Sequence, residues 1–425
     1  MELFRNIGAE IEETWRGQNY NEEVFPSIAA DALRRADLPS KISAWEVIEW
    51  TLGQTELPPQ KDPHANFGDP PITLFVGPRF FIDVYFWLEG TTQIHQHAFC
   101  GAFQVLVGSS LHSWYEFERT ESINVFTEAG EMRLKVCQLL NVGDIQEILA
   151  GRQYIHSLFH LDQPSVTIVV RTDRSPLHRP QFSYYKPSLA IDPFFEHETT
   201  TKQLQSIRAL FISRHPETDR MVAGLLERSD FQTSFAILNT VREFLSGTPL
   251  GQLFSLESPA ERFNSLLEIV VRRHGAKAKG LSAVFAHRDR VGEIVRRRSY
   301  VTDTEHRFFL ALVLNVEGRD TILGLIGTRF PDSDPIDKVL DWTHDLSQTR
   351  VVGVNTPNAL GIEGFDDVDL SLLENLLRGR SDDEARQAIV SDYGVERSAS
   401  FDLQGKLTRI HESAIFRPLL SVPPR

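Results

Sequence analysis

Two histidines separated by one residue are the part of this chain best suited to chemistry. They are His95 and His97, in a short segment between two runs of strand-like composition. Side chains two positions apart on a β-strand project from the same face, so both imidazoles can reach one metal ion inside a small β-barrel. Two further imidazoles follow in the segment 154–160, at His156 and His160. We therefore predict that His95 and His97 bind a metal ion together with a third ligand from this segment.

Three neutral imidazoles would leave the metal with its full positive charge and with open coordination positions. Such a centre should attract an anionic, bidentate substrate and leave one position for O2. A thiolate fits, because metal binding favours loss of the thiol proton. Iron(II) suits this chemistry best, since imidazole binds it and it activates O2. Zinc, nickel and copper stay open, because imidazole also binds them.

The elements that must position these histidines are predicted from hydrophobic patterning. Short runs rich in β-branched and aromatic residues, separated by turn-forming residues, fill the middle of the chain and predict an antiparallel barrel or sandwich. These runs are 72–76, 80–88, 101–107, 111–117, 132–140, 145–149 and 165–171.

Helical periodicity dominates the two ends of the chain. Ser258 followed by Pro259 and Glu261 predicts a helix start, and Asp334 followed by Pro335 predicts another. We predict an α+β fold with three parts. Residues 1–71 form an N-terminal helical segment and loop, 72–190 form the barrel with the metal site, and 191–425 form a mostly α-helical C-terminal domain.

The amino-acid composition of the chain argues against several classes of protein. The chain has 425 residues, a formal net charge of −14 and two cysteines. An acidic chain is a poor match for nucleic acid or for anionic membranes, and two cysteines are too few for a disulfide framework. Charges begin too early for a signal peptide, and no apolar run reaches the roughly 18 residues that a membrane helix needs. We expect a cytoplasmic protein whose partners are a small-molecule substrate and O2, with a homodimer left open.

The residues around the histidine pair resemble the cupin superfamily, and within it the cysteine dioxygenase-like thiol dioxygenases. The matching segments are Trp87-Leu88-Glu89-Gly90, Ile94-His95-Gln96-His97, and a strand that leads through Gly108 to Leu111, with a looser second motif from Gly143-Asp144 through Gly151 to His156. Gly101 and Ala102 stand where many cupins carry a ligand glutamate, and the thiol dioxygenases also lack that carboxylate. The resemblance covers roughly residues 75–175. It implies a cupin-type antiparallel β-barrel (jelly roll), a metal site formed by His95, His97 and His156, and an iron(II)-dependent dioxygenase.

Two departures from this family concern the substrate. Ala102 stands where some members carry a cysteine that is crosslinked to a tyrosine. Thr167, Val169 and Arg171 stand where the family has a Ser-x-His-x-Tyr relay. Free cysteine is therefore a doubtful substrate, and a related oxygenase acting on a different substrate fits better.

Substrate contacts must come from the inner faces of the strands. Arg171 is the preferred clamp for a substrate carboxylate, because its guanidinium can bind such a group through two hydrogen bonds. A surface arginine at a strand end is the alternative, and Arg79 is a weaker second choice. Tyr85, which shares a strand face with Trp87, and Gln104 complete the predicted catalytic residues. We expect His160 to pack or to form hydrogen bonds, and His112 and the remaining histidines to be structural or solvated.

Three functions remain after this reasoning. The first is an oxidoreductase, a mononuclear non-heme iron(II) dioxygenase that oxidises a small anionic, bidentate substrate, either a thiol or a related compound. The second keeps the three-histidine site but cleaves a carbon–carbon bond. The third is a non-catalytic, metal- or ligand-sensing cupin whose helical domain binds a partner.

Overall fold

A computed structural model describes residues 2–61, 63, 68–88, 91–246, 258–351 and 356–420. At its centre is a closed, six-stranded antiparallel barrel beside a five-stranded sheet, with helices before and after them. The predicted mixture of α and β elements and the antiparallel barrel are confirmed. Glu89 and Gly90, which belong to the motif around Trp87, lie outside the described residues.

The strands carry the site, and six of the eleven described strands begin or end at a residue where a predicted run begins or ends. They are β1 Pro71–Val76, β2 Phe80–Trp87, β3 His95–His97, β4 Gly101–Val107, β5 Ser110–Asn124, β6 Thr127–Leu140, β7 Ile145–Ile148, β8 Gly151–His160, β9 Ser165–Thr172, β10 Ser183–Tyr185 and β11 Leu189–Ile191. The open sheet has the order β1-β2-β9-β4-β7, and the barrel has the order β10-β11-β6-β5-β8-β3.

The register of β3 against β8 brings the candidate ligands together. His95 lies directly opposite His156, and the pairing shifts between His95 and His97 so that His97 lies opposite Gly151. On its other side β8 pairs with β5, where Trp114 lies opposite His156. In the open sheet, Gly101 of β4 lies opposite Arg171 of β9.

The two faces of the open sheet are covered by different partners. Even-numbered residues of β2 and β9, such as Ile82, Val84 and Ile168, pack against the N-terminal helices. Odd-numbered residues, such as Tyr85 and Val169, pack on the barrel side. Both faces are therefore buried, and only the barrel side leads to the histidines.

The helices form two groups. Those before the strands are α1 Glu2–Gly17, α2 Phe25–Ala36 and α3 Ala44–Gly53. Those after the strands are α4 Glu198–Ile212, α5 Thr218–Leu226, α6 Phe231–Ser246, α7 Pro259–His274, α8 Leu281–Arg298, α9 Thr304–Asn315, α10 Arg319–Arg329, α11 Pro335–Gln348, α12 Asp367–Leu377, α13 Asp382–Tyr393, α14 Val395–Ser398, α15 Leu403–Glu412 and α16 Arg417–Leu420. The domain bounds at 71/72 and 190/191 stay predictions.

The C-terminal helices share a core with the barrel. Helix α9 is buried at every position from Arg307 to Asn315. Its apolar cluster includes Leu111 of β5 and Phe159 of β8. Within the described part of the chain, no helix has the length and apolar character needed to cross a bilayer.

Candidate metal centre

The structure brings together the three histidines that the sequence predicts as ligands. One ring nitrogen from each of His95, His97 and His156 lies within 4.8 Å of the other two. The closest approach joins the Nε2 atoms of His97 and His156, which are 2.8 Å apart. His97 and His156 are buried, and His95 is half-buried. This group has the composition and spacing of a site that could hold a metal ion.

Hydrogen bonding selects the nitrogen that His95 can offer to a metal. Its Nδ1 lies 2.7 Å from the backbone carbonyl oxygen of Gln93. A carbonyl oxygen can only accept, so Nδ1 carries the proton and donates it to Gln93. The lone pair of His95 is therefore on Nε2, which is the form that binds a metal.

A second chain of hydrogen bonds does the same for His156. The indole Nε1 of Trp114 lies 2.9 Å from Nε2 of His112, and an indole nitrogen can only donate. His112 Nε2 is thus an acceptor, and His156 Nδ1, 3.1 Å away, donates to it. The lone pair of His156 is then on Nε2, which faces His97.

His112 has a contact with the candidate site that the sequence analysis did not predict. We expect it at the surface or in packing, and it is fully buried, with its Nε2 3.1 Å from Nδ1 of His156. The available signal was its position two residues before Trp114, which places both side chains on one face of β5. Metal-bound histidines usually have such a partner on the second ring nitrogen.

Burial keeps the candidate ligands neutral. Removal from water lowers the pKa of His95, and it lowers the pKa values of His97 and His156 well below the usual value for imidazole. The positive charges of Arg171 and Arg174 further lower the pKa of His97. Neutral imidazole is the form that binds a metal ion.

One nitrogen spacing in the group is close to that of two ligands on one ion. Adjacent positions of an octahedral ion lie about 3.0 Å apart when each metal–nitrogen distance is about 2.1 Å, and tetrahedral positions lie about 3.4 Å apart. The 2.8 Å between His97 and His156 is close to the octahedral value. Two unprotonated nitrogens at this distance would repel each other, so a proton or a cation must sit between them. Among the described residues, the group contains imidazoles alone.

The histidines line a cavity of about 1010 Å³ that also receives two of the predicted catalytic residues. Tyr85 donates its hydroxyl proton to Asp83, with 2.9 Å between Tyr85 Oη and Asp83 Oδ2. Burial raises the pKa of the Tyr85 hydroxyl above its usual value, although the neighbouring charge of Arg171 opposes this. The guanidinium of Arg171 lies 4.4 Å from the ring centre of Phe99. Tyr85 and Arg171 thus share one pocket with the candidate ligands.

Gln104, the third predicted catalytic residue, lies elsewhere. Its Nε2 donates to the backbone carbonyl oxygen of Gly143, at 3.2 Å. It is not among the described residues that line the cavity. Its neighbours on the same strand face, Ala102 and Leu106, pack against the N-terminal helices. Strand parity therefore grouped Gln104 with the right neighbours, but their face of the sheet is covered by the N-terminal helices and does not lead to the cavity.

Two further candidates lie outside the ligand group. His160 stacks on Trp87, with ring centres 4.5 Å apart, which agrees with the packing role expected for it. Arg79 lies over the ring of Tyr20, at 4.3 Å, and does not belong to the described lining of the cavity.

Compared with family models and with curated proteins, the sequence matches none. The assignment of a metal centre therefore depends on the geometry of this chain's own residues.

Proposed function

We propose that this chain is a mononuclear non-heme iron(II) oxygenase of the cupin type, in which O2 and an organic anion meet at His95, His97 and His156. The observation that carries the proposal is the convergence of three neutral imidazoles on the wall of a large pocket that also contains Arg171. The motif resemblance to thiol dioxygenases supports the choice of iron and O2. The closed antiparallel barrel is compatible with a cupin jelly roll.

The positive charge of the pocket supports an anionic substrate. Neutral imidazoles would leave the full charge of a divalent ion uncompensated, and Arg171 and Arg174 line the same pocket. Positive groups gathered in a low-dielectric cleft attract anions and orient them. A substrate carboxylate can bind the guanidinium of Arg171 while its reacting end approaches the histidines.

The chain's own residues supply the positioning that the reaction needs. When bound, iron(II) would supply O2 activation and an electrophilic centre for the substrate. Gln93 and His112 hold the rings of His95 and His156 through their Nδ1 atoms, which leaves the lone pair of each ring on Nε2. Asp83 fixes the hydroxyl of Tyr85 on the pocket wall.

The decisive experiment measures metal binding and O2 uptake together. The protein is loaded with iron(II) under nitrogen, and O2 consumption is followed against a panel of thiols and other bidentate acids. We expect substrate-dependent uptake that is lost in His97→Ala together with bound iron. His344→Ala, which changes an exposed histidine on α11, should leave both unchanged.

Two outcomes would remove the proposal. Iron binding without uptake on any acid or thiol would favour a metal- or ligand-sensing module over an enzyme. Unchanged metal content in His95→Ala, His97→Ala and His156→Ala would exclude the three-histidine centre itself.

A further inference from the structure

The cavity beside the three histidines is much larger than a small substrate requires. Its volume of about 1010 Å³ lies at the upper end of the roughly 300–1,000 Å³ typical of pockets that enclose drug-sized ligands. A three-carbon acid such as cysteine would leave most of this space to water. The pocket therefore fits a ligand with a substantial body as well as a reacting end.

The residues that line the cavity indicate what kind of ligand body would fit there. Trp87 and Phe103 are 5 % and 4 % exposed and lie on the cavity wall, and Val169 at 6 % lies with them in one apolar cluster. Covering such surface with an apolar ligand is favourable roughly in proportion to the area removed from water. The half-exposed ring of Phe194 also lines the cavity and adds apolar surface.

The charged end of the ligand is indicated by Arg171. Its guanidinium carbon lies near two aromatic rings, 4.5 Å from the centre of Phe81 and 4.4 Å from that of Phe99. Contact with two rings restricts where the guanidinium can lie, and guanidinium N–H groups can bind a carboxylate through two hydrogen bonds. Phe99 also lies 4.4 Å from the ring of His97, so the anion-binding end and the candidate metal ligands are neighbours.

We propose that the substrate is a carboxylic acid with a bulky aromatic or apolar body rather than a small thiol acid. Its carboxylate binds Arg171, its body lies along Trp87, Phe103 and Val169, and its reacting end is directed at the three histidines. The inference rests on the proposed function for the reacting end only. Its two recognition elements, the arginine and the apolar wall, belong to the protein with or without a metal.

Calorimetric titration of the full-length chain tests both elements. The protein as purified is kept free of oxygen so that no turnover occurs, and four probes are compared: 3-phenylpropionate, acetate, 3-phenylpropanol and L-cysteine. Acetate lacks the apolar body, and 3-phenylpropanol lacks the charge. We expect 3-phenylpropionate to bind at least about tenfold more tightly than each of the other three. Loss of the charged hydrogen-bonding group can account for this difference in the alcohol, and loss of buried apolar surface can account for it in acetate and L-cysteine.

A matched pair of variants assigns the carboxylate to Arg171. In Arg171→Gln the preference for 3-phenylpropionate over 3-phenylpropanol should fall towards one. Arg79→Gln alters another arginine that stacks on an aromatic ring but lies outside the described cavity lining, and it should keep the preference. Should Arg171→Gln fail to fold, the comparison of the acid with the alcohol on the unaltered chain still decides whether charge is recognised.

Three results would overturn the inference. Equal binding of acetate and 3-phenylpropionate would exclude the apolar body, and equal binding of the acid and the alcohol would exclude the charged end. Tighter binding of L-cysteine than of 3-phenylpropionate would favour a small thiol acid. These titrations require no turnover, so an absence of O2 uptake would remove the proposed function and leave this inference standing.

Discussion

His112 determines which nitrogen of His156 faces the pocket, although it does not itself approach the candidate metal position. Its Nε2 accepts from Trp114 and thereby requires His156 to donate from Nδ1. Burial lowers the pKa of His112 to about 3, so the ring stays neutral and keeps this acceptor at any ordinary pH. A neutral, buried acceptor behind a ligand is a positioning residue.

We predict that His112→Phe weakens metal binding by about 10–100-fold, the range found when the partner of a metal-bound histidine is removed. Phenylalanine keeps an aromatic ring at this buried position but cannot accept the proton of His156, which is then free to rotate or change tautomer. The measurement is competition between the protein and a chelator of known affinity. His274→Phe, which removes a histidine bonded to Ser234 in the helical part, is the control. Equal metal affinity in both variants would show that His112 only fills space.

Among the elements, β3 is the one whose short length matters most for the site. It has three residues, and its central side chain, Gln96, is buried between the two candidate ligands. Tyr184 donates its hydroxyl proton to Gln96 Oε1 at 2.6 Å, and Gln96 Nε2 donates to the carbonyl oxygen of Pro180 at 3.0 Å. These bonds tie β3 to the segment around β10. A strand with so few ladder bonds depends on them to hold its histidines in place.

Gln96→Ala should therefore lower both stability and metal affinity. Loss of the side chain leaves the Pro180 carbonyl oxygen and the Tyr184 hydroxyl unpaired in the interior, at a cost of about 1–3 kcal/mol each at most. Tyr184→Phe removes one of the two bonds and should show a smaller effect on both quantities. Thermal unfolding and chelator competition measure them. A Gln96→Ala protein that is destabilised yet binds metal normally would show that the anchor serves the fold alone.

The sequence predicts an element well where one local signal decides it. Helix α7 begins at Pro259 with Ser258 and Glu261 in a capping box, and α11 begins at Pro335 with Asp334 as its cap, as predicted. Strand β8 was missed although it carries His156. It is buried from Tyr154 to His160 and includes polar residues. It therefore lacks the alternation of apolar and polar residues that is typical of a strand with one solvent-exposed face.

The two faces of the open sheet show what strand parity can predict and what it cannot. Strand parity correctly grouped Gln104 with Ala102 and Leu106, and Tyr85 with Trp87. Strands β2 and β9 are buried at every position, since helices cover one face and the barrel covers the other. Both faces are therefore buried, although the polar residues Asp83, Thr167 and Arg171 all fall on the odd-numbered one. Gln104 of β4 is a polar residue on the helix-covered face, and only tertiary packing shows that it lies outside the described lining of the pocket.

At the scale of the whole molecule, the C-terminal helices contact the rear of the barrel through buried polar groups. Lys186, which follows β10, donates from Nζ to the backbone carbonyl oxygen of Asn315 in α9, at 3.3 Å. Asn315 Oδ1 also accepts a hydrogen bond from Ser157, the neighbour of His156, at 3.2 Å. The helical part, for which the sequence offered no chemistry, is thus bonded to the strand that carries a candidate ligand.

The buried Lys186 should make the free energy of unfolding depend on pH in the alkaline range. Burial lowers its pKa to about 8; Arg290 lowers it further, while Glu317 and Cys137 raise it. Between pH 8 and about 10.4, its value in an unfolded chain, the unfolded state holds the proton more tightly. The free energy of unfolding contributed by this residue therefore rises with pH in that window.

The test compares the thermal midpoint of the unaltered chain with that of Lys186→Met at pH 8 and at pH 10. The variant has no amino group to titrate at position 186. From pH 8 to pH 10, the free energy of unfolding of the unaltered chain should therefore rise relative to that of the variant, by an amount on the order of 2 kcal/mol. The same difference at both pH values would mean that Lys186 keeps its ordinary pKa. Lys338→Met, which alters a lysine paired with Glu305 on the helical side, should show no such relative gain.

Arg307 is the second buried connection, and it is hydrogen-bonded to a residue of the pocket wall. It is 2 % exposed on α9, and its guanidinium donates to the carbonyl oxygen of Leu161 at 3.2 Å and to Gln163 Oε1 at 3.0 Å. Gln163 lines the cavity of the candidate site. Arg298 makes a parallel contact, donating from Nε to the carbonyl oxygen of His160 at 3.1 Å. The turn between β8 and β9 is thus held by arginines of the helical part.

Arg307→Met should destabilise the protein by about 3 kcal/mol or more and weaken ligand binding in the pocket. Methionine keeps much of the volume but leaves buried carbonyl oxygens without a donor, and each such loss costs about 1–3 kcal/mol. Arg378→Met removes an exposed ion pair with Glu374, which is worth at most about 1 kcal/mol, and is the control. Thermal unfolding measures stability, and titration with 3-phenylpropionate measures the pocket. If Arg307→Met lowers stability but leaves this affinity unchanged, the helices stabilise the barrel without shaping its pocket; if both fall, the helical part is a structural component of the site.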